Sequence, residues 1–99
     1  MSTNTFLFDA GNIEKLNLAC EKRKTNLSEV IAVFADPNRI ILETYADEIT
    51  EELRFICVGE SNHKRIISVI FVLRKGKIRP FNVWQTKGKL KRLYHENKK

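Results

Sequence analysis

Cysteine, histidine, proline and glycine are all scarce in this 99-residue chain, with two, two, two and four copies respectively. Cys20 and Cys57 stand alone, outside any CxxC or Cys/His cluster, so neither a disulfide framework nor a zinc site is indicated. They read as two buried, reduced thiols that pack as small hydrophobes. Two histidines cannot build a multi-His metal centre, and no Gly-rich phosphate loop, GxSxG elbow or HExxH motif occurs. Hydrolysis by an activated serine or a bound metal is therefore not expected, and no cofactor or metal is called for. No apolar run approaches the ~18–20 residues that span a bilayer. Residues 1–8 lack a basic, then apolar, leader pattern, so a cytoplasmic protein without membrane attachment is expected.

What is present is a core's worth of hydrophobic residues, 42% of the chain, enough for one domain over residues 1–99. The formal charge of +6 is unevenly spread. Residues 74–99 carry ten Lys/Arg against the single acid Glu96, a local balance of +9, which leaves −3 on residues 1–73. A basic segment of that density attracts polyanions by counterion release, with nucleic acid or an acidic protein as the partners that fit. A DNA-binding module is the weaker reading, because no helix-turn-helix or zinc signature accompanies the charge.

The hydrophobic periodicity changes midway. After a short strand at Thr5–Phe8, Ile13, Leu16 and Cys20 fall at helical spacing, and Leu27, Val30, Ile31 and Phe34 repeat at i, i+3, i+4, i+7. Asn26 with Glu29 has the form of a capping box for that second helix, and Asp36-Pro37-Asn38 stops it. Beyond Pro37, Arg39–Tyr45, Arg54–Val58, Arg65–Arg74 and Lys77–Trp84 are rich in β-branched and aromatic residues, with a hairpin turn at Lys75-Gly76. The long strand Arg65-Ile-Ile-Ser-Val-Ile-Phe-Val-Leu-Arg74 is apolar on both faces, which predicts a central position. One of the sheet's faces should meet the helices and the other stays available. Leu90, Leu93 and Tyr94 among Lys89, Lys91 and Arg92 predict a basic C-terminal helix over 87–95, with Lys98 and Lys99 frayed. The fold class is thus α+β: two N-terminal helices on a four- to five-stranded antiparallel sheet, then a basic helix.

Three arginines, Arg54, Arg65 and Arg79, open or lie in strands and could converge as a catalytic group on one RNA-binding surface; equally, they could pair with the acidic run Asp47, Glu48, Glu51, Glu52. RNA suits such a site because its 2′-hydroxyl is a built-in nucleophile. The protein need only orient the backbone, move protons and stabilise charge on phosphorus, and guanidinium groups suit the last task. Lys87, Lys89, Lys91 and Arg92 form an electrostatic footprint for RNA or a solvated helix face. Trp84 could stack on a base or simply pack at a strand end. His63 and His95 are of the residue type suited to proton transfer near neutrality, and Glu60 beside His63 is a further candidate base. Their positions in a turn and near the chain end favour reading them as exposed bystanders, so no general base is assigned.

Several short segments, in order and over nearly the whole chain, resemble the BrnT-type toxins of bacterial type II toxin–antitoxin systems. They are Phe8-Asp9-Ala10-Gly11-Asn12-Ile13-Glu14, Val33-Phe34 with Asp36-Pro37, Arg54-Phe55-Ile56 leading to Gly59, Arg65-Ile66-Ile67, Ile78-Arg79, and a tail ending near Tyr94. The resemblance implies a RelE-like fold and a metal-independent ribonuclease that blocks translation. It also implies a BrnA-type, DNA-binding antitoxin as partner, and a homo-oligomer or toxin–antitoxin hetero-oligomer. The last strand differs from the family pattern: Asn82 stands at its serine position and Trp84 at its second arginine position, and Cys20–Thr25 replaces a Lys-His-Gly turn. These differences give the alternative function, a catalytically silent protein of the same fold that binds RNA or an antitoxin.

Overall fold

Asn26 starts the second helix because its Oδ1 accepts the Glu29 N–H at 3.0 Å, satisfying one of the donors that a helix N-terminus leaves open. In a computed structural model, which describes residues 13–44, 53–74 and 76–98, the order is α1 (Ile13–Lys22), α2 (Leu27–Ala35), β1 (Ile40–Glu43), β2 (Arg54–Glu60), β3 (Ile66–Arg74), β4 (Lys77–Gln85) and α3 (Gly88–Asn97). The expected strand at Thr5–Phe8 and the acidic run Asp47–Glu52 lie outside the described residues. Only half of the expected capping box forms. The Glu29 side chain does not return to Asn26; it is fully buried and turned toward Arg65. α2 ends where Pro37 demands an extended residue before it, at Asp36 with φ −66° and ψ 120°.

The four described strands form an antiparallel meander in the order β1-β2-β3-β4, which gives β3 the interior position its two-sided apolarity predicts. Phe55 and Cys57 of β2, Ile67, Val69 and Phe71 of β3, and Ile78, Pro80 and Val83 of β4 share one face by their pairing register. Against that face pack Leu16 and Cys20 of α1 and Val30, Val33 and Phe34 of α2. Phe34 meets Phe71 edge to face at 5.2 Å, and Phe55 stacks on Phe71 at 5.3 Å. α2 lies over β2 and β3, and α1 over β4. The close approach of α2 depends on Gly59, where a Cβ would fall 2.9 Å from the Val33 carbonyl oxygen.

One irregularity shapes β4. Ile70 pairs with Asn82 but Phe71 pairs with Pro80, so Phe81 is an extra residue in the strand. Pro80, which has no N–H to give to a ladder, sits at this bulge. The bulge shifts the side-chain phase, so Arg79 shares a face with Asn82 and Trp84 rather than with Val83.

α3 packs on β2 from the second face of the sheet. Val58, Ser68 and Thr86 point away from α1 and α2 and are nonetheless buried, as is the whole of Tyr94. The Ser68 and Thr86 hydroxyls satisfy one another at 2.5 Å. Contrary to the expectation of fraying, Lys98 is held at both ends: its N–H donates to the Tyr94 carbonyl at 3.0 Å, and its Nζ reaches Glu60 Oε1 at 3.3 Å. Among the described residues no helix is long and apolar enough to cross a membrane.

Candidate nucleic-acid interface

The second face of the sheet divides into two ends. Toward the start of β2, Arg54, Val72 and Arg79 stand in one row across three strands, so two guanidinium-bearing positions flank Val72 at roughly 10 Å, twice the spacing between neighbouring strands. The next row is Ile56, Ile70 and Asn82, and the one after it Val58, Ser68 and Trp84. Arg54 places its guanidinium 5.3 Å from the centre of the Phe81 ring, the residue that the bulge pushes out. Arg79, Asn82 and Trp84 are all half-buried. Trp84 with Arg23, Gln85 and Lys87 lines a cavity of about 450 Å³. Arg79, Asn82, Trp84 and Lys87 therefore follow one another along β4 into the start of α3, as a strip of cations, an amide and an aromatic ring.

The structure brings Arg54 and Arg79 together and sets Arg65 apart. Arg65 precedes β3 at its far end, seven residues and roughly 23 Å of strand from the Val72 row. Its Nε donates to Glu29 Oε2 at 3.0 Å, its Nη2 contacts Glu29 Oε1, and Nη2 also donates to the Lys24 carbonyl at 2.9 Å. Ser61 Oγ donates to the same Glu29 carboxylate at 2.7 Å and accepts the backbone N–H groups of His63 and Arg65 at 3.1 and 3.4 Å. Burial raises the Glu29 carboxyl, but the hydrogen bonds from Arg65 and Ser61 outweigh it, holding the group below its ordinary value and charged.

A second buried carboxylate orders the same end. Asp36 Oδ1 accepts the Asn38 N–H at 2.8 Å, while Oδ2 accepts the Glu60 N–H at 2.7 Å and the Tyr94 hydroxyl at 2.5 Å. Beyond the last β1–β2 pair, Ile40 with Val58, this side chain takes the place of a neighbouring strand. Burial raises Asp36, and the three donors reverse the shift, so its carboxyl lies below the ordinary range; Tyr94, buried beside that anion, is pushed up. Neither Asp36 nor Glu29 stands out in the sequence as a site residue. The signal was an acid within an apolar helical repeat and another at its stop.

Lys87, Lys89, Lys91 and Arg92 are exposed at and along α3. His63 is exposed in the turn after β2, and His95 is exposed on α3 with its ring 5.6 Å from that of Tyr94. Both thiols are free and buried; burial raises Cys20 and pushes Cys57 up to about 12, so neither is an activated nucleophile.

A search of the curated proteins finds no match to this chain. The family described as "Ribonuclease toxin, BrnT, of type II toxin-antitoxin system" matches residues 8–86, a stretch that includes α1, α2 and the four described strands and stops short of α3. The chain belongs to this family of ribonuclease toxins of type II toxin–antitoxin systems.

Proposed function

We propose that the protein is a cytoplasmic, metal-independent endoribonuclease that blocks translation and is neutralised by a BrnA-type, DNA-binding antitoxin. The observation that carries this reading is the Arg54–Val72–Arg79 row, continued on the same face by Asn82 and Trp84, with Lys87 lining a cavity beside Trp84. RNA lying along this strip has guanidinium groups for its phosphates and an indole for a base. The 2′-oxygen attacks phosphorus as its proton leaves, the bond to the 5′-oxygen breaks, and that oxygen takes up a proton, leaving a 2′,3′-cyclic phosphate and a 5′-hydroxyl. Arg54 and Arg79 stabilise charge that develops on the phosphoryl oxygens, while Arg65, at the far end of β3, engages the RNA backbone away from the reacting phosphate. Lys87, Lys89, Lys91 and Arg92 extend the cationic surface along α3 and bind the backbone without reading sequence.

Expression of the chain alone in bacteria tests this. Growth arrest with RNA cleavage that persists in EDTA, abolished by Arg79→Ala, is the expected result. Asn82 and Trp84 support a second reading, a silent binder of RNA or antitoxin, because half-buried Trp84 offers a stacking surface where the family has a cation. Unimpaired growth and intact RNA, with RNA or antitoxin still bound, would establish that reading instead.

A further inference from the structure

The far end of the second face holds a cavity of about 350 Å³ between α3 and the turn that joins β2 to β3. Lys64, Arg65, Lys91 and Lys98 line it against one carboxylate, Glu60, with Gln85, Thr86 and His95 as the remaining polar lining. We propose that this cleft is a phosphate-binding subsite, distinct from the Arg54–Arg79 row, that grips one phosphate group between Lys64, Arg65 and Lys91.

Three observations support the assignment. Arg65 is already immobilised, since Glu29 and the Lys24 carbonyl engage Nε and Nη2, and none of its hydrogen bonds to described residues uses Nη1. A guanidinium fixed on one edge and open on the other needs no ordering when an anion arrives. Lys64 holds a left-handed backbone, φ +62°, which non-glycine residues seldom adopt. The turn imposes it: the Lys64 N–H donates to the Ser61 carbonyl at 3.0 Å, the Ser61 N–H to the Arg65 carbonyl at 2.8 Å, and Ser61 Oγ anchors the loop to Glu29. Among the described residues neither Lys64 nor Lys91 has a carboxylate partner, whereas Lys98 is spent on Glu60. The cleft thus combines the open Nη1 of a guanidinium held in place with two ammonium groups, brought from a turn and a helix, that have no carboxylate partner among the described residues.

The ligand chemistry is a phosphate mono- or diester. If the ribonuclease reading holds, on which this last step rests, the group is a backbone phosphate of RNA that has crossed Trp84 from the Arg54–Arg79 row, and the cleft sets the register of the strand several nucleotides from the row.

The test is an amide-resolved NMR titration of the full chain with inorganic phosphate at constant ionic strength. Signals of Lys64, Arg65, Thr86, Lys91 and His95 should shift together along one binding curve. A Lys64→Gln/Lys91→Gln variant should weaken that curve about tenfold or more, as expected when two charge-assisted hydrogen bonds to the anion are removed. A charge-matched control, Lys22→Gln/Lys77→Gln, should change it less than about twofold. All four side chains are on exposed residues, and an unchanged unfolding temperature verifies the fold. Equal weakening by both variants, or no common curve at the cleft, would overturn the proposal. A non-cleavable oligoribonucleotide distinguishes the source. Displacement of phosphate from these signals assigns the cleft to RNA backbone, and unmoved signals assign it to a small phosphate. The titration reads no cleavage, so an inactive protein that still binds phosphate would refute the ribonuclease reading and leave the cleft standing.

Discussion

The Tyr94 hydroxyl donates to Asp36 Oδ2 at 2.5 Å, a contact that ties the last helix, across the edge of β2, to the residue that ends α2. Asp36 in turn holds the Glu60 N–H, so one carboxylate fastens three elements whose residues are far apart in the chain. Tyr94→Phe removes one donor and leaves the carboxylate buried with its backbone partners. It should destabilise the fold by about 1–3 kcal/mol, the usual cost of an unmet buried polar group. Urea midpoints measure this, and amide exchange in α3 should speed up more than exchange in β3.

The same groups give the stability a predictable dependence on pH. Asp36 and Glu29 bind protons less readily folded than unfolded, so the stability they contribute is present above the ordinary carboxylate range near about pH 4. It is lost as pH falls through their lowered values. Tyr94 is shifted the other way. Its contribution is present below the ordinary tyrosine value near about 10 and fades as pH rises above it, and Cys57, pushed up to about 12, fades from about 8.5 upward. Urea midpoints should therefore form a plateau bounded by acid and alkaline limbs. Asp36→Asn should flatten the acid limb and Tyr94→Phe the alkaline one; limbs identical to the parent's in both variants would contradict the assignment.

Glu29 is 0% exposed and the Arg65 side chain 32%, which makes the pair asymmetric. Arg65→Ala leaves a buried charge whose remaining side-chain partner is Ser61, so it should cost roughly 3 kcal/mol, the low end for broken buried pairs because the guanidinium is partly solvated. Glu29→Gln should cost less, since the amide oxygen still accepts from Arg65 while the removed charge no longer needs compensation. A double-mutant cycle on denaturant midpoints reads the coupling, and additivity of the two changes would show that the contact contributes nothing.

Electrostatics and chemistry separate at the two ends of the strip. Replacing Lys87, Lys89, Lys91 and Arg92 with Gln should weaken RNA binding uniformly across sequences. It should also flatten the salt dependence, by about 0.7 units of log–log slope for every single-strand phosphate that is no longer neutralised. Arg79→Ala should lower the cleavage rate by more than it lowers binding, because an interaction with transition-state charge is read mainly in the rate. Binding constants over a salt series and single-turnover cleavage rates check both, and a four-fold Gln variant that binds like the parent at low salt would reduce α3 to a solvated face.

The complex with an antitoxin should weaken with salt if an acidic partner covers the same basic surface, and RNA and antitoxin should then compete. Simultaneous binding of both, seen as a ternary complex in sedimentation, would place the antitoxin elsewhere.

Local order in this chain is written in the sequence wherever one residue's neighbours along the chain decide its state. The i, i+3, i+4, i+7 repeat from Leu27 to Phe34 and the stop at Asp36-Pro37 determine α2, since helix hydrogen bonds and proline sterics act within four residues. The two-sided apolarity of β3 likewise requires neighbours on both sides. Tertiary structure decided the rest. Strict alternation from Arg79 would have put Phe81 and Val83 on its face, but the bulge at Phe81 substituted Asn82 and Trp84, because Pro80 cannot donate to a ladder and the pairing slipped by one. The motif Asn26…Glu29 described a helix start, yet Glu29 turned inward, because Ser61 and Arg65, more than thirty residues away, offer a buried carboxylate three hydrogen bonds. The placement of α3 depended on an interaction of the same long range. Its amphipathic spacing specified a helix with one apolar edge, and the surface that edge covers was decided by the packing on β2, by Asp36 at the end of α2 and by Glu60 on β2.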